Sequence, residues 1–131
     1  MVNGQPSSFQ KIEEGLTGAV DLCHSVAQSR GWWEDVTTRQ PVERNDGELF
    51  MLMVSEIAEA MEGQRKGLTD DKLPDYPMRD VELADCCIRI FDYCGKHGIP
   101  LGEILIKNVM FNLKREDHSI GARRAEGGKK Y

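Results

Sequence analysis

Apolar side chains recur at intervals of three and four in four stretches of this chain, and this spacing restricts its fold more than any other feature. A period of 3.6 residues places such side chains on one face of a helix, where they can be buried. The pattern predicts four helices, over residues 8–29, 47–66 and 78–96 and after Pro100. Asp46 is the expected N-cap of the second helix.

No stretch alternates apolar and polar residues, so no sheet is predicted. Short connections between amphipathic helices indicate an all-α fold, in which one protomer is a four-helix bundle. The 131 residues fit a single domain. Residues 116–131 contain few apolar side chains and are expected to form a flexible tail. A bundle this small often pairs with a copy of itself, so we expect a dimer or a dimer of dimers.

The charge pattern disfavours nucleic acid as a partner. The net charge is −5, with acidic residues clustered mid-chain and basic residues concentrated after Lys107, whereas duplex-binding proteins carry a basic face. The longest apolar runs are far shorter than the ~20 residues of a membrane span, and the N-terminal residues lack the pattern of a signal peptide. The four cysteines form no CxxC pair, so we expect reduced, mostly buried thiols in a cytoplasmic protein.

Four carboxylates form the most informative pattern: Glu56 and Glu59 in the second predicted helix, and Glu82 and Asp85 in the third. Residues three apart lie on one helical face, and both pairs border apolar runs, where crowded carboxylates are costly without compensation. A hard divalent cation would compensate them. Because neither pair includes a histidine, the pattern favours Mg²⁺, or Mn²⁺, over zinc or di-iron. The competing interpretation is a pair of solvated acidic helix faces.

The order of these motifs resembles a known family. Residues 55–63 read SEIAEAMEG and residues 82–85 read ELAD, which is similar to the ExxE, spacer, ExxD signature of the all-α nucleoside triphosphate pyrophosphohydrolases. Gly31-Trp32-Trp33, the Asn-x-x-Arg of residues 112–115 and the Gly-Gly-Lys of residues 127–129 resemble further elements of the MazG-like members. The resemblance extends over residues 20–131.

The resemblance implies hydrolysis of a nucleoside triphosphate between its α and β phosphates, giving the monophosphate and pyrophosphate, as in housecleaning of the nucleotide pool. It also implies that Glu56, Glu59, Glu82 and Asp85 hold Mg²⁺. One carboxylate must orient or deprotonate the attacking water. Glu59 is the first candidate for this catalytic role, and Glu56 is the second.

Candidate substrate contacts fall into two groups. The phosphate-binding candidates are Asn112, Arg115, Lys129 and Lys130, although the two lysines also fit a solvated tail. The candidates for the nucleotide pocket are Trp32, Trp33, His24 and Arg89. A tryptophan here can stack on the base or anchor the core. Arg89 can line the pocket or pair with Asp85 or Asp92.

Two other classes of function remain open. A non-catalytic helical sensor or interaction protein would bind metal and nucleotide without turnover. A purely structural helical dimer would leave the acidic residues solvated. Calorimetry separates the two, because the structural dimer would show no magnesium-linked nucleotide binding.

Overall fold

The apolar periodicity produces helices, and the computed structural model describes residues 7–130. The helices are α1 (Ser8–Ser29), α2 (Asp46–Lys66), α3 (Met78–His97), α4 (Leu101–Leu113) and α5 (Ile120–Arg124), with a 3-10 turn at Glu116–His118. No strand occurs in residues 7–130, where β-type pairing is limited to two isolated bridges. The all-α fold class is therefore confirmed. The N-terminal residues 1–6, in which no signal peptide was predicted, lie outside the described residues.

Local chemistry sets the ends of α2 and α3. The side chain of Asn45 accepts a hydrogen bond from the backbone N–H of Glu48 at 3.0 Å, so the N-cap is Asn45 and the expectation of Asp46 was wrong by one residue. Asp46 instead lies in the first turn, where its charge suits the helix dipole. Gly67 and Gly98 end α2 and α3 at φ +63° each, a conformation that glycine adopts without strain.

Helices α2 and α3 pack as an antiparallel hairpin. The rings of Phe50 and Tyr93 lie 5.0 Å apart at one end. At the other end, a methyl group on Gly63 would lie only 2.9 Å from the Cβ of Met78, so the absence of a side chain permits close approach. This register places the middle of α2, with its acidic pair, opposite the acidic pair of α3.

The chain divides into two compact units. Residues 18–99 form one, which holds α2, α3 and most of α1. There α1 contacts α3 so closely that a Cβ on Gly95 would lie 2.4 Å from the Cβ of His24. In the other unit the start of α1 meets α4, where a Cβ on Gly102 would lie 2.8 Å from the carbonyl oxygen of Glu13. A single bundle of four helices stays a prediction.

The C-terminal segment contains more regular structure than its composition predicts. Ser119 caps α5 by accepting a hydrogen bond from the N–H of Ala122 at 3.1 Å. The guanidinium of Arg123 donates to the carbonyl oxygens of Lys129 and Lys130 at 3.3 and 2.9 Å. The flexibility expected for residues 116–131 stays a prediction, and Tyr131 lies outside the described residues.

All four cysteines are free thiols, as predicted. Cys86 and Cys94 are buried, Cys23 is half-buried and Cys87 is exposed. Among residues 7–130, no helix has both the length and the apolar character that crossing a bilayer requires.

Candidate functional site

Three carboxylates converge where α2 and α3 face each other. Glu56, Glu59 and Glu82 each offer an oxygen, and these three atoms lie within 4.8 Å of one another. The spacing of three along α2 gives Glu56 and Glu59 a common face, and the antiparallel packing of α3 brings Glu82 to it. Glu56 is 7% exposed and Glu82 is 5% exposed, whereas Glu59 is open to solvent. Carboxylates this close repel one another when ionised.

Burial raises the pKa of Glu82 from 4.5 to about 7. A hydrogen bond with Glu56 and the negative charge of Glu59 act in the same direction, while the nearby positive charge of Lys72 opposes them. Between pH 4.5 and about 7 the protein therefore retains a proton at this position that a solvated glutamate would have lost. A bound cation would remove the need for that proton.

Asp85, the fourth predicted ligand, is not part of this group of three. It follows Glu82 by one turn of α3, but its Oδ2 accepts a hydrogen bond from the Nζ of Lys72. That bond raises the pKa of Lys72. The helical spacing therefore places all four carboxylates along one pocket. One of them, Asp85, is paired with Lys72 from the loop between α2 and α3.

Glu56 also pairs with a basic side chain. The Nε of Arg89 donates to Glu56 Oε1 at 2.5 Å, which differs from the pairing with Asp85 or Asp92 considered from the sequence. Arg89 lies one turn after Asp85 on α3, so its long side chain reaches across to α2. The acidic site thus carries two internal counter-charges, Lys72 and Arg89.

The loop that presents Lys72 is built around a buried aspartate. The Oδ1 of Asp70 accepts hydrogen bonds from the N–H groups of Lys72 and Leu73, both at 2.8 Å. The N–H of Asp70 donates to the carbonyl oxygen of Tyr76 at 3.0 Å. Asp70 was not among the predicted site residues. An aspartate side chain often accepts a hydrogen bond from the backbone N–H two residues later, which stabilises a turn. Asp70 lies two residues before Lys72 in a polar loop, and this position was the available signal.

These side chains line a pocket of about 690 Å³. Its acidic wall holds the four carboxylates. Basic and aromatic groups lie around them, together with apolar side chains from α1, α2 and α3; they are Arg44, Lys72, Arg89, Trp32, Val26, Leu52 and Ile88. Pockets for small molecules are about 300–1,000 Å³ and combine apolar walls with a few polar groups, so the size and the lining suit a nucleotide.

The two adjacent tryptophans occupy opposite environments. Trp32 is 64% exposed and lines the pocket, so much of its side chain is available for contact with a ligand. Trp33 is 5% exposed, and its Nε1 donates to Asp92 at 2.9 Å. Of the two roles expected for a tryptophan here, stacking on the base or anchoring the core, Trp33 therefore has the core position.

His24 is not among the residues that line the pocket, but it contacts Asp92, which does. Its Nδ1 lies 2.8 Å from Asp92 Oδ1, and its ring meets Trp33 edge-on with centroids 6.2 Å apart. Asp92 lines the pocket while it accepts hydrogen bonds from both residues. From the sequence, Asp92 was expected only as a partner of Arg89. Its spacing of two turns from Asp85 was the signal that it shares the face of the acidic pair.

The remaining predicted contacts lie in the unit that contains α4. Asn112 and Arg115 line a pocket of about 360 Å³ there, and Arg115 donates to both carboxylate oxygens of Asp117 at 2.9 and 2.6 Å. The Nζ of Lys130 donates to the carbonyl oxygen of Arg123 at 3.2 Å. The carbonyl oxygen of Lys129 accepts a hydrogen bond from the guanidinium of Arg123. Phosphate binding by these four residues stays a prediction.

The donor set consists of carboxylate oxygens on two rigid helices, which suits a hard cation such as Mg²⁺ or Mn²⁺. The basic groups beside it suit the oxygens of a polyphosphate. The chain matches no protein-family model, no curated protein and no solved structure.

Proposed function

We propose that this chain is a magnesium-dependent nucleoside triphosphate pyrophosphohydrolase, cleaving between the α and β phosphates to give a nucleoside monophosphate and pyrophosphate. One observation carries the proposal: three carboxylates with oxygens within 4.8 Å of one another lie in the wall of a 690 Å³ pocket. The resemblance of residues 55–63 and 82–85 to the MazG-like signature implies the same reaction.

Glu56, Glu59, Glu82 and Asp85 are the residues that would hold Mg²⁺. The fit rests on their all-oxygen chemistry and on the burial that makes the ionised form of Glu82 costly without a cation. When bound, the metal would supply positive charge to the triphosphate and a water of lowered pKa.

Glu59 is the best-placed proton acceptor of the four. Among residues 7–130 it makes no hydrogen bond or ion pair, whereas Glu56 is held by Arg89 and Asp85 by Lys72. Glu59 is also open to the pocket. In the proposed step, the oxygen of a water forms a bond to the α-phosphorus, its proton passes to Glu59, and the bond to the bridging oxygen breaks to release pyrophosphate.

The other walls of the pocket would bind the rest of the nucleotide. Arg44, Lys72 and Arg89 supply positive charge for the phosphates. The exposed ring of Trp32 offers a stacking surface, which is worth about 1–3 kcal/mol per base. His24 and Trp33 would act through Asp92, whose position they fix.

The test is an assay of canonical and modified nucleoside triphosphates with Mg²⁺ that resolves the products. We expect monophosphate and pyrophosphate, with turnover lost on chelation and in Glu56→Gln. Glu59→Gln should reduce kcat by about 100-fold or more even when Mg²⁺ is raised to saturation, the range for loss of a general base. Glu62→Gln is the matched control, since Glu62 is on the same helix but pairs with Arg65 and Lys66.

Two outcomes would contradict the proposal. Diphosphate and phosphate as products would mean that a different phosphate bond is cleaved. A folded protein that turns over no nucleotide would favour the non-catalytic sensor.

One observation favours that second candidate function. Lys72 and Arg89 already neutralise two of the four carboxylates, so the acidic site is partly compensated without a metal. A sensor would bind Mg²⁺ and nucleotide in calorimetry and leave the nucleotide intact. Turnover that depends on Glu59 would exclude this function.

We also propose that the protein is a homodimer or homotetramer. Phe50, Val54, Ile57 and Met61 are exposed on α2, and their spacing of four, three and four places them in one stripe. Exposed apolar stripes of this kind are typical of helix–helix interfaces. The stripe is on a different side of α2 from Glu59, so an interface there would leave the pocket accessible.

A further inference from the structure

We propose that Lys72 is a tethered counter-cation of the acidic site: it holds Asp85 in the metal-free protein and moves to the phosphates of the substrate when a divalent cation takes Asp85. This inference rests on the proposed function and assigns a regulatory and positioning role to a loop residue. Lys72 contributes no oxygen ligand, so its role is separate from that of the four carboxylates.

The loop fixes the backbone of Lys72, while the side chain reaches Asp85 through its flexible carbon chain. The buried carboxylate of Asp70 holds the N–H groups of Lys72 and Leu73. The isolated bridge between Thr69 and Pro77 closes the same loop at its base. The lysine side chain extends into the pocket and is 59% exposed. A fixed base with a flexible four-carbon stem lets the ammonium group reach more than one acceptor.

The two basic residues of the site differ in how firmly they are held. Arg89 binds Glu56, whose side chain is 9% exposed, whereas the Asp85 side chain bound by Lys72 is 29% exposed. Exposed ion pairs are weak, because water competes for both partners. The Lys72–Asp85 pair is therefore the one that exchanges easily, while Arg89 keeps its place.

In this exchange Asp85 would change its partner, from the ammonium group of Lys72 to a divalent cation. Its oxygens lie outside the group of three that come within 4.8 Å of one another, and Lys72 occupies Oδ2. A cation that recruits Asp85 must compete with the ammonium group and overcome its positive charge. Once displaced, that ammonium group remains beside the pocket, where a polyphosphate brings new negative oxygens.

The exchange predicts opposite effects on two ligands. Without Lys72, Mg²⁺ alone should bind more tightly, because a competitor and a like charge are gone. A polyphosphate should bind more weakly, because it loses a cationic contact. A residue that only supports the loop would not strengthen one ligand while weakening the other.

The experiment is calorimetry on the full chain with two probes, Mg²⁺ alone and then inorganic tripolyphosphate in saturating Mg²⁺, which avoids any dependence on the base. For Lys72→Met we expect about three- to fivefold tighter Mg²⁺ binding, the scale of an exposed ion pair, and about tenfold weaker tripolyphosphate binding. Lys72→Arg should restore most of both values.

Lys66→Met is the matched control. Lys66 is also 59% exposed and also pairs with a carboxylate, Glu62, but it does not line the pocket. The control removes the same charge, so we expect wild-type binding of both probes.

Three results would overturn the inference. They are unchanged binding of both probes by Lys72→Met, weaker binding of both, and the same changes in Lys66→Met. If the wild-type protein itself bound no Mg²⁺, the proposed metal site would fail as well, and that result is distinguishable because it needs no variant.

Discussion

Glu82 is nearly surrounded by protein, at 5% exposure, and lies beside two other carboxylates. Its motif made it a predicted ligand, but its burial could not be predicted, because burial depends on how α3 packs against α2. The consequence is a pKa of about 7 in the folded state, compared with 4.5 for a solvated glutamate. A group with a raised carboxyl pKa binds its proton more tightly when the protein is folded.

That difference predicts a pH dependence of the free energy of unfolding for the metal-free protein. Between pH 4.5 and about 7 the folded state holds a proton that the unfolded state has lost, so stability falls as pH rises through this window. We expect a loss on the order of 1–2 kcal/mol, since pocket water screens part of the charge. Urea denaturation in a chelator at several pH values measures it.

Glu82→Gln should remove most of this slope and should stabilise the metal-free protein above neutral pH, because glutamine resembles the protonated carboxyl group. Glu62→Gln, on the surface of α2, should keep the wild-type slope. An unchanged slope in Glu82→Gln would mean that other groups cause the pH dependence.

The partners of the site residues show what spacing can and cannot predict. Spacing of three predicted that Glu56 and Glu59 share a face, because the helix period fixes that geometry. The partner of Asp85 could not be predicted, since Lys72 is 13 residues away and approaches from a loop. The Arg89–Glu56 contact crosses 33 residues and depends on the register of two helices.

At the level of elements, the bounds of α1 were predicted and those of α2 and α3 were within one residue. Such bounds depend on local sequence, namely on the apolar periodicity of the helix and on the glycine or proline residues that end it. The α2–α3 loop was predicted only as polar. Its internal order comes from the single carboxylate of Asp70, whose burial has no periodic signal.

Contact between α1 and α3 depends on the missing side chain of Gly95. In Gly95→Ala the new methyl group would lie 2.4 Å from the Cβ of His24, an atom that cannot rotate away. We expect destabilisation of about 1–3 kcal/mol, the usual cost of overpacking, measured by urea denaturation. The displacement of His24 should also disturb Asp92.

Gly18→Ala in α1 is the control for that substitution. A Cβ at Gly18 meets no atom within 4 Å, so alanine should be neutral or stabilise by up to about 1 kcal/mol through its helix propensity. Equal stability of the two variants would show that the His24 contact does not limit the position of α3.

For the whole molecule, the sequence predicted an all-α chain, and the absence of strands in residues 7–130 agrees with it. The division into residues 18–99 and a second unit was not predicted. Periodicity describes each helix by itself, whereas the boundary falls within α1, between Thr17 and Gly18. No local signal marks a boundary inside a continuous helix.

Self-association is the testable property at this scale. Ile57→Asp puts a charge in the middle of the exposed stripe of α2 and should shift the protein to a smaller species in size-exclusion chromatography with light scattering. Val36→Asp is the control, because Val36 is exposed outside the stripe. A wild-type protein that runs as a monomer at micromolar concentration would contradict the proposed oligomer.

The neighbouring tryptophans give the protein two distinct optical probes. Trp32 is solvent-exposed beside the acidic pocket, whereas Trp33 is enclosed and hydrogen-bonded to Asp92. They are the only tryptophans in the chain, so its near-ultraviolet fluorescence has one long-wavelength, quencher-accessible component and one short-wavelength, protected component. The first reports occupancy of the pocket and the second reports unfolding, so ligand binding and stability can be followed in one unlabelled sample.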